Sequence, residues 1–274
     1  MSLLSSLFST SLSPAWTADV RSALWRVMFS FDGHIILEDR DTVNKSAVFS
    51  CVNAKDGSMV WSGRSMGEPW WIGLSAVTKD RVYLHGFRKP DMPEPWTITA
   101  ADRATGSVLW KNEQCAFHSA SDDTVFAYRD LFERRVYYRV DPANGNILEE
   151  FDALPADAPD AAGNERTDFT FPEAVLPSDP EVLSVHPDAR DAASAERIVM
   201  GRFDLLSMYH PMAGEVPTLK NRLTIVDSHA KKKVYSVVMN GETPYPVPDS
   251  FFVDQQRIYY VHERRTLVAV DLPR

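Results

Sequence analysis

The chain is predicted to be all-β: a five-bladed β-propeller of four-stranded antiparallel blades, closed by an N-terminal strand. Three observations lead there. A strand–turn–strand unit recurs along the chain, clearest at Trp96-Thr97-Ile98-Thr99-Ala100-Ala101-Asp102-Arg103-Ala104-Thr105-Gly106-Ser107-Val108-Leu109-Trp110. A second strand with its own turn precedes each copy. The copies are spaced at the 40 or so residues that four short strands and their turns need.

Each copy turns on local chemistry. Asn53-Ala54-Lys55-Asp56-Gly57-Ser58-Met59-Val60-Trp61 and Asp141-Pro142-Ala143-Asn144-Gly145-Asn146-Ile147-Leu148 repeat the pattern. Their glycines supply the positive φ of tight hairpin turns, and the leading Asn or Asp can accept backbone N–H bonds inside the turn. Asp227-Ser228-His229-Ala230-Lys231 is a degenerate copy with Lys for Gly, and Val270-Asp271-Leu272-Pro273 a copy cut off at the chain end. Before these turns lie Val48–Val52, Thr97–Ala101, Val136–Val140, Leu223–Val226 and Leu267–Val270, rich in the β-branched and aromatic residues that suit strands. The upstream turns fall at Asp32-Gly33, Lys79-Asp80, Asp122-Asp123 and Gln255-Gln256, with Arg197–Met200 as the fourth unit's second strand.

Taken in order, residues 1–12 read as a loose tail. Blades follow at 25–62, 70–111, 115–151, 169–239 and 246 to the C-terminus, in one domain spanning 1–274. Either Trp16 or Trp25 would lie on the closing strand, which would take the place missing after Asp271 and remove an open sheet edge. A sixth blade would fit only within 152–195, whose Asp, Ala and Pro content reads instead as loop with a short helix at 188–196.

The turn-then-Trp pattern resembles the quinoprotein-type (PQQ-like) propeller repeat, carried best by Gly57 with Trp61 and Gly106 with Trp110. The resemblance implies that each tryptophan wedges between neighbouring blades, in a small cytoplasmic member of the superfamily. The cofactor-stacking and calcium motifs of the large quinone enzymes are absent from the sequence, so no cofactor is expected.

Composition narrows function. With 29 Lys and Arg against 38 Asp and Glu the net charge is −9, which disfavours nucleic acid and anionic membrane surfaces as partners. Cys51 and Cys115 stand apart from each other and from any His at metal spacing. The N-terminus lacks a basic segment before its apolar run, and no run reaches transmembrane length. A cytoplasmic location is expected.

The connections expected to carry extra length are those after the second and fourth strands of each blade, among them 63–69, 88–95, 152–168, 209–220 and 241–246; loops on a rigid scaffold commonly hold binding sites. The second strands end in polar residues, so Glu38, Asp39, His85, Arg129, Arg202 and His262 could meet at an axial mouth. There Arg129 and Arg202 would suit an anionic or hydroxylated ligand. Trp70, Trp71 and Trp96 are candidates for an interaction surface, with blade packing as the alternative. The leading expectation is a non-enzymatic binding scaffold for a protein or small ligand. The alternative is an enzyme acting on a small polar or carbohydrate substrate, with Glu38, Asp39 or His262 as acid or base. A metal site of His85, His262 and Asp39 lacks any supporting spacing.

Overall fold

The computed structural model describes residues 11–89, 92–159, 166, 168–214 and 216–273. They form five separate antiparallel sheets, and the chain divides into two compact units.

The unit Val20–Thr167 holds three sheets. The first runs β2 (Ala23–Phe29), β3 (His34–Asp41), β4 (Ser46–Asn53) and β5 (Met59–Arg64). The second runs β6 (Ile72–Val77), β7 (Arg81–Lys89), β8 (Met92–Asp102) and β9 (Val108–Asn112). The third runs β10 (Ala116–Ala120), β11 (Val125–Asp130), β12 (Arg135–Val140) and β13 (Ile147–Phe151). In each, strand order follows chain order, as successive hairpins require.

The repeat turns form as the residues dictate. Gly57, Gly106 and Gly145 take φ of 71°, 70° and 77°. Asp102 Oδ1 accepts the Thr105 N–H at 2.8 Å, and Asp141 Oδ1 accepts that of Ala143 at 2.8 Å. The tryptophan of one sheet then packs on the glycine turn of the next. Trp61 donates its indole N–H to the Arg103 carbonyl at 2.7 Å, and Trp110 donates to that of Pro142 at 2.8 Å. A Cβ on Gly106 would lie 2.8 Å from the Trp61 ring, and one on Gly145 2.5 Å from the Trp110 ring. Glycine is required at both places for φ and for space.

The other unit is built from 1–19 and 168–274. One sheet runs β14 (Glu173–Val175), β15 (Ser194–Met200), β16 (Phe203–Met212), β17 (Thr218–Asp227) and β18 (Lys232–Thr243). The second joins β1 (Trp16–Asp19) to β21 (Thr266–Asp271), β20 (Arg257–His262) and β19 (Phe251–Asp254). Trp16, not Trp25, lies on the N-terminal strand; it is buried, opposite Ala269 and 5.8 Å from the Tyr259 ring. Trp25 is in β2 and 62% exposed. Between β14 and β15 sit α1 (Pro180–Val185) and a 3-10 turn, Pro187–Asp191. The helix thus precedes the expected 188–196, started by Pro180 behind an Asp179 cap that accepts the Glu181 N–H.

The expected closure of the fold is corrected. Among the described residues the closed propeller is not found: no sheet closes on itself, each has two end strands, and the five are divided between two units. Turn chemistry encodes hairpins within a sheet, and it carries no instruction for closing sheets into a ring. Within 152–195, read from the sequence as loop with a short helix, β14 adds a fifth strand to the fourth sheet. The connections after the second strands are short as well. Residues 88–89, 92–95, 209–212 and 218–220 belong to paired strands, with Phe87 opposite Pro95 and Pro211 opposite Leu219. Register shifts after Gly86 and Phe87 admit the prolines of β8, which cannot donate to a regular ladder.

Candidate functional site

The sequence-chosen residues fall into separate settings. Glu38, Asp39, His85 and Arg129 belong to the unit Val20–Thr167, and Arg202 and His262 to the other.

Glu38 is buried in β3. Its carboxylate accepts the Arg40 Nε–H at 2.5 Å and the Leu74 backbone N–H at 3.0 Å. Arg40 donates onward to the carbonyls of Trp70, at 3.0 Å, and Ile72. Arg26 donates to the Leu74 carbonyl. Two sheets are thus stitched by a buried ion pair, since an unpaired charge there would be costly. His85 stands at the same seam, its Nδ1 2.9 Å from the Ser75 hydroxyl and its ring against Gly73, where a Cβ would come within 2.9 Å. Burial first, then the charges of Arg26 and Arg40, push the His85 imidazole down to about 4 from its ordinary 6.5. It is therefore neutral at physiological pH.

Asp39 points elsewhere. Its two oxygens accept the N–H groups of Arg21, Ser22 and Ala23 at 2.9–3.0 Å and fix the entry into β2. An alternation in strand direction explains the split: consecutive residues of β3 face opposite sides of the sheet.

The tryptophans divide likewise. Both Trp70 and Trp71 donate backbone N–H groups to Glu68 Oε1, at 3.1 and 3.0 Å. The Trp71 ring meets Phe87 edge-on at 6.2 Å. The Trp70 ring carries Arg40 at 5.0 Å and Lys45 at 4.9 Å. Trp96, half-buried on β8, carries two guanidiniums, that of Arg88 at 4.4 Å and that of Arg129 at 5.3 Å. Among the described residues no carboxylate forms an ion pair with Arg88 or Arg129. Arg40, by contrast, is committed to Glu38.

In the other unit Arg202 is not at the end of a second strand. It lies in the two-residue turn between β15 and β16, because residues 194–200 form the earlier strand of that hairpin. It pairs with Asp227 at 3.4 Å and lies 4.9 Å over Phe203. His262 ends β20, and its carbonyl accepts the Arg265 N–H at 3.0 Å. Among the described residues no group of three or more His, Cys, Asp or Glu could hold a metal ion. No helix there is long and apolar enough to cross a membrane.

Sequence reading missed the buried His186–Asp204–Arg197 cluster. His186 Nε2 is 3.1 Å from Asp204, and Arg197 holds the same carboxylate at 3.0 and 2.7 Å. Burial opposes the Asp204 charge, but these hydrogen bonds outweigh it and bring the carboxyl down to about 2. The cluster binds the helical insertion to its sheet. No spacing in the sequence marks it, because its three members come from an insertion and two paired strands.

A family model, "Domain of unknown function (DUF4905)", matches residues 30–110. No curated protein matches the chain. Among solved structures the chain is similar to BamB from Moraxella catarrhalis, at 8% identity and TM-score 0.31, covering 96% of this chain and 98% of that one. It is also similar to a europium-containing methanol dehydrogenase, at 11% identity and TM-score 0.35, covering 96% of this chain and 54% of the enzyme. A quinohemoprotein alcohol dehydrogenase from Comamonas testosteroni follows, at 12% identity and TM-score 0.32, with 95% and 43% covered. The chain thus spans about half the length of these two dehydrogenases. Scores at this level fix neither fold nor activity.

Proposed function

We propose that the protein is a non-enzymatic binding module that recognises an anionic ligand or partner at Trp96, Arg88 and Arg129. One observation carries this reading: two guanidiniums share one indole, and neither forms an ion pair among the described residues. Arginine held on an aromatic face keeps its N–H fork pre-organised for a carboxylate or phosphate. On a chain of net charge −9 such a spot gives selectivity, since its surroundings repel anions. Catalysis by Glu38 or Asp39 is less favoured, because each carboxylate is already engaged by backbone N–H groups. The packing of Trp61 and Trp110 on glycine turns supports kinship with the quinoprotein-type repeat. The cytoplasmic location expected from the sequence belongs to this reading and is open to cell fractionation.

The test is a titration of citrate, inorganic phosphate and poly-L-glutamate against intrinsic tryptophan fluorescence. Saturable change is expected with at least one probe, lost in Trp96→Phe and weakened about tenfold or more in Arg88→Ala/Arg129→Ala. Absence of saturation in the wild type, or an unchanged double variant, would overturn the reading.

A further inference from the structure

The strand ends away from the β7–β8 and β11–β12 hairpin connections hold a second feature. The short turns β2–β3, β6–β7 and β10–β11 come from three sheets of one unit, and together with the β8–β9 turn they surround a cavity of about 500 Å³. That volume lies within the range of small-molecule sites. Its lining includes Phe31, Lys79, Asp80, Arg103, Ser121 and Asp122.

The wall is built. Arg103 donates its Nε–H to the Lys79 carbonyl at 2.5 Å and pairs through Nη2 with Asp32 at 2.7 Å. Asp32 is in turn held by the Ser30 hydroxyl at 2.5 Å. Asp122 Oδ1 accepts the Lys79 N–H at 2.9 Å and so ties the second sheet's turn to the third's. These bonds fix the turns relative to one another before any ligand arrives.

What remains uncommitted is mixed in sign. Among the described residues no hydrogen bond or ion pair engages the Lys79 ammonium, the Asp80 carboxylate, the Ser121 hydroxyl or the second Asp122 oxygen, so donors and acceptors line the same opening. Phe31 adds an aromatic face that is 73% exposed. A purely anionic ligand would meet Asp80 and Asp122, and a purely cationic one would meet Lys79 and Arg103. Hydroxyl groups both donate and accept, and satisfy either kind of partner. A sugar ring also offers an apolar C–H face to an aromatic side chain. We infer that this cavity binds a neutral polyhydroxylated ligand, a mono- or disaccharide, with Phe31 as the stacking face and Lys79, Asp80, Ser121 and Asp122 as hydrogen-bonding partners.

Calorimetric titration of the full chain with glucose, galactose, N-acetylglucosamine, maltose and cellobiose tests this, beside citrate and spermidine as charged probes. At least one sugar is expected to bind saturably. Phe31→Ala and Asp80→Asn, both at exposed positions, should each weaken it about tenfold or more while leaving the melting temperature within a degree or two. Trp96→Phe should leave sugar binding unchanged, which separates this site from the anion site. Failure of all five sugars, saturation by citrate or spermidine alone, or sugar binding indifferent to both variants would overturn the inference.

Discussion

Gly106 and Gly145 each satisfy two demands at once, a left-handed φ and contact with an indole face. Alanine at either position should therefore destabilise by about 2 kcal/mol or more, read from urea unfolding. Lys231 sits in the equivalent turn of the degenerate copy with φ 51°. A side chain in that conformation costs about 1–2 kcal/mol, of which glycine's extra unfolded entropy returns a part. Lys231→Gly should accordingly stabilise by about 0.5–1 kcal/mol. His85 makes a different prediction. Its imidazole titrates near 4 folded and near 6.5 unfolded, so the unfolded chain binds more protons between those values. Stability is then fully present above pH 6.5 and falls as pH drops towards 4, by on the order of 3 kcal/mol at most. Unfolding midpoints across pH 4–7 should show this slope in the wild type and a flatter one in His85→Gln.

At the level of strands and seams, Glu38 is the residue whose loss should be felt most. Glu38→Ala leaves the Arg40 charge and the Leu74 N–H without their shared partner, at a cost of about 3–5 kcal/mol. Glu38→Gln keeps an acceptor for Leu74 and should cost less. The hairpins themselves were legible, since Asp102, Gly106 and their counterparts fix turn type within a few residues. The extent of strands was not. Polar and proline-containing stretches at 88–95 and 209–220 read as loops, yet hairpin pairing continues into them, through register shifts at 88–89 with 92–95 and in an unbroken register at 209–212 with 218–220. Site residues were half legible. Glu38, Asp39 and Arg129 were correctly seen as polar positions on strands, but their partners depend on which way each points across a seam. Arg88, placed with Arg129 by contact on Trp96, lay at the start of a stretch, 88–95, that read as a connection, without any mark to single it out. Arg202 was misplaced because the strand before it is the first of its hairpin rather than the second.

Over the whole molecule, the sheet that joins β1 to β21 should be the most sensitive to truncation. Four residue pairs, Trp16 with Ala269 through Asp19 with Thr266, join them. Trp16→Ala should cost about 3–5 kcal/mol, whereas Trp25→Ala at its exposed position should cost about 1 kcal/mol or less, a contrast that denaturant curves resolve. Removing residues 1–19 would strip the cover from β21, whose free N–H and C=O groups would invite pairing between molecules, visible as higher-order species in size-exclusion chromatography. The same pairing has a temporal meaning during synthesis. Residues 16–19 leave the ribosome long before their hydrogen-bonding partners at 266–269, so this segment waits while the stretch between them is made. The intervening unit, contiguous from Val20 to Thr167, can consolidate meanwhile. Pairing of β1 with β21 is therefore a long-range closure, slow for entropic reasons, and a nascent-chain holdase would find its opportunity in that interval.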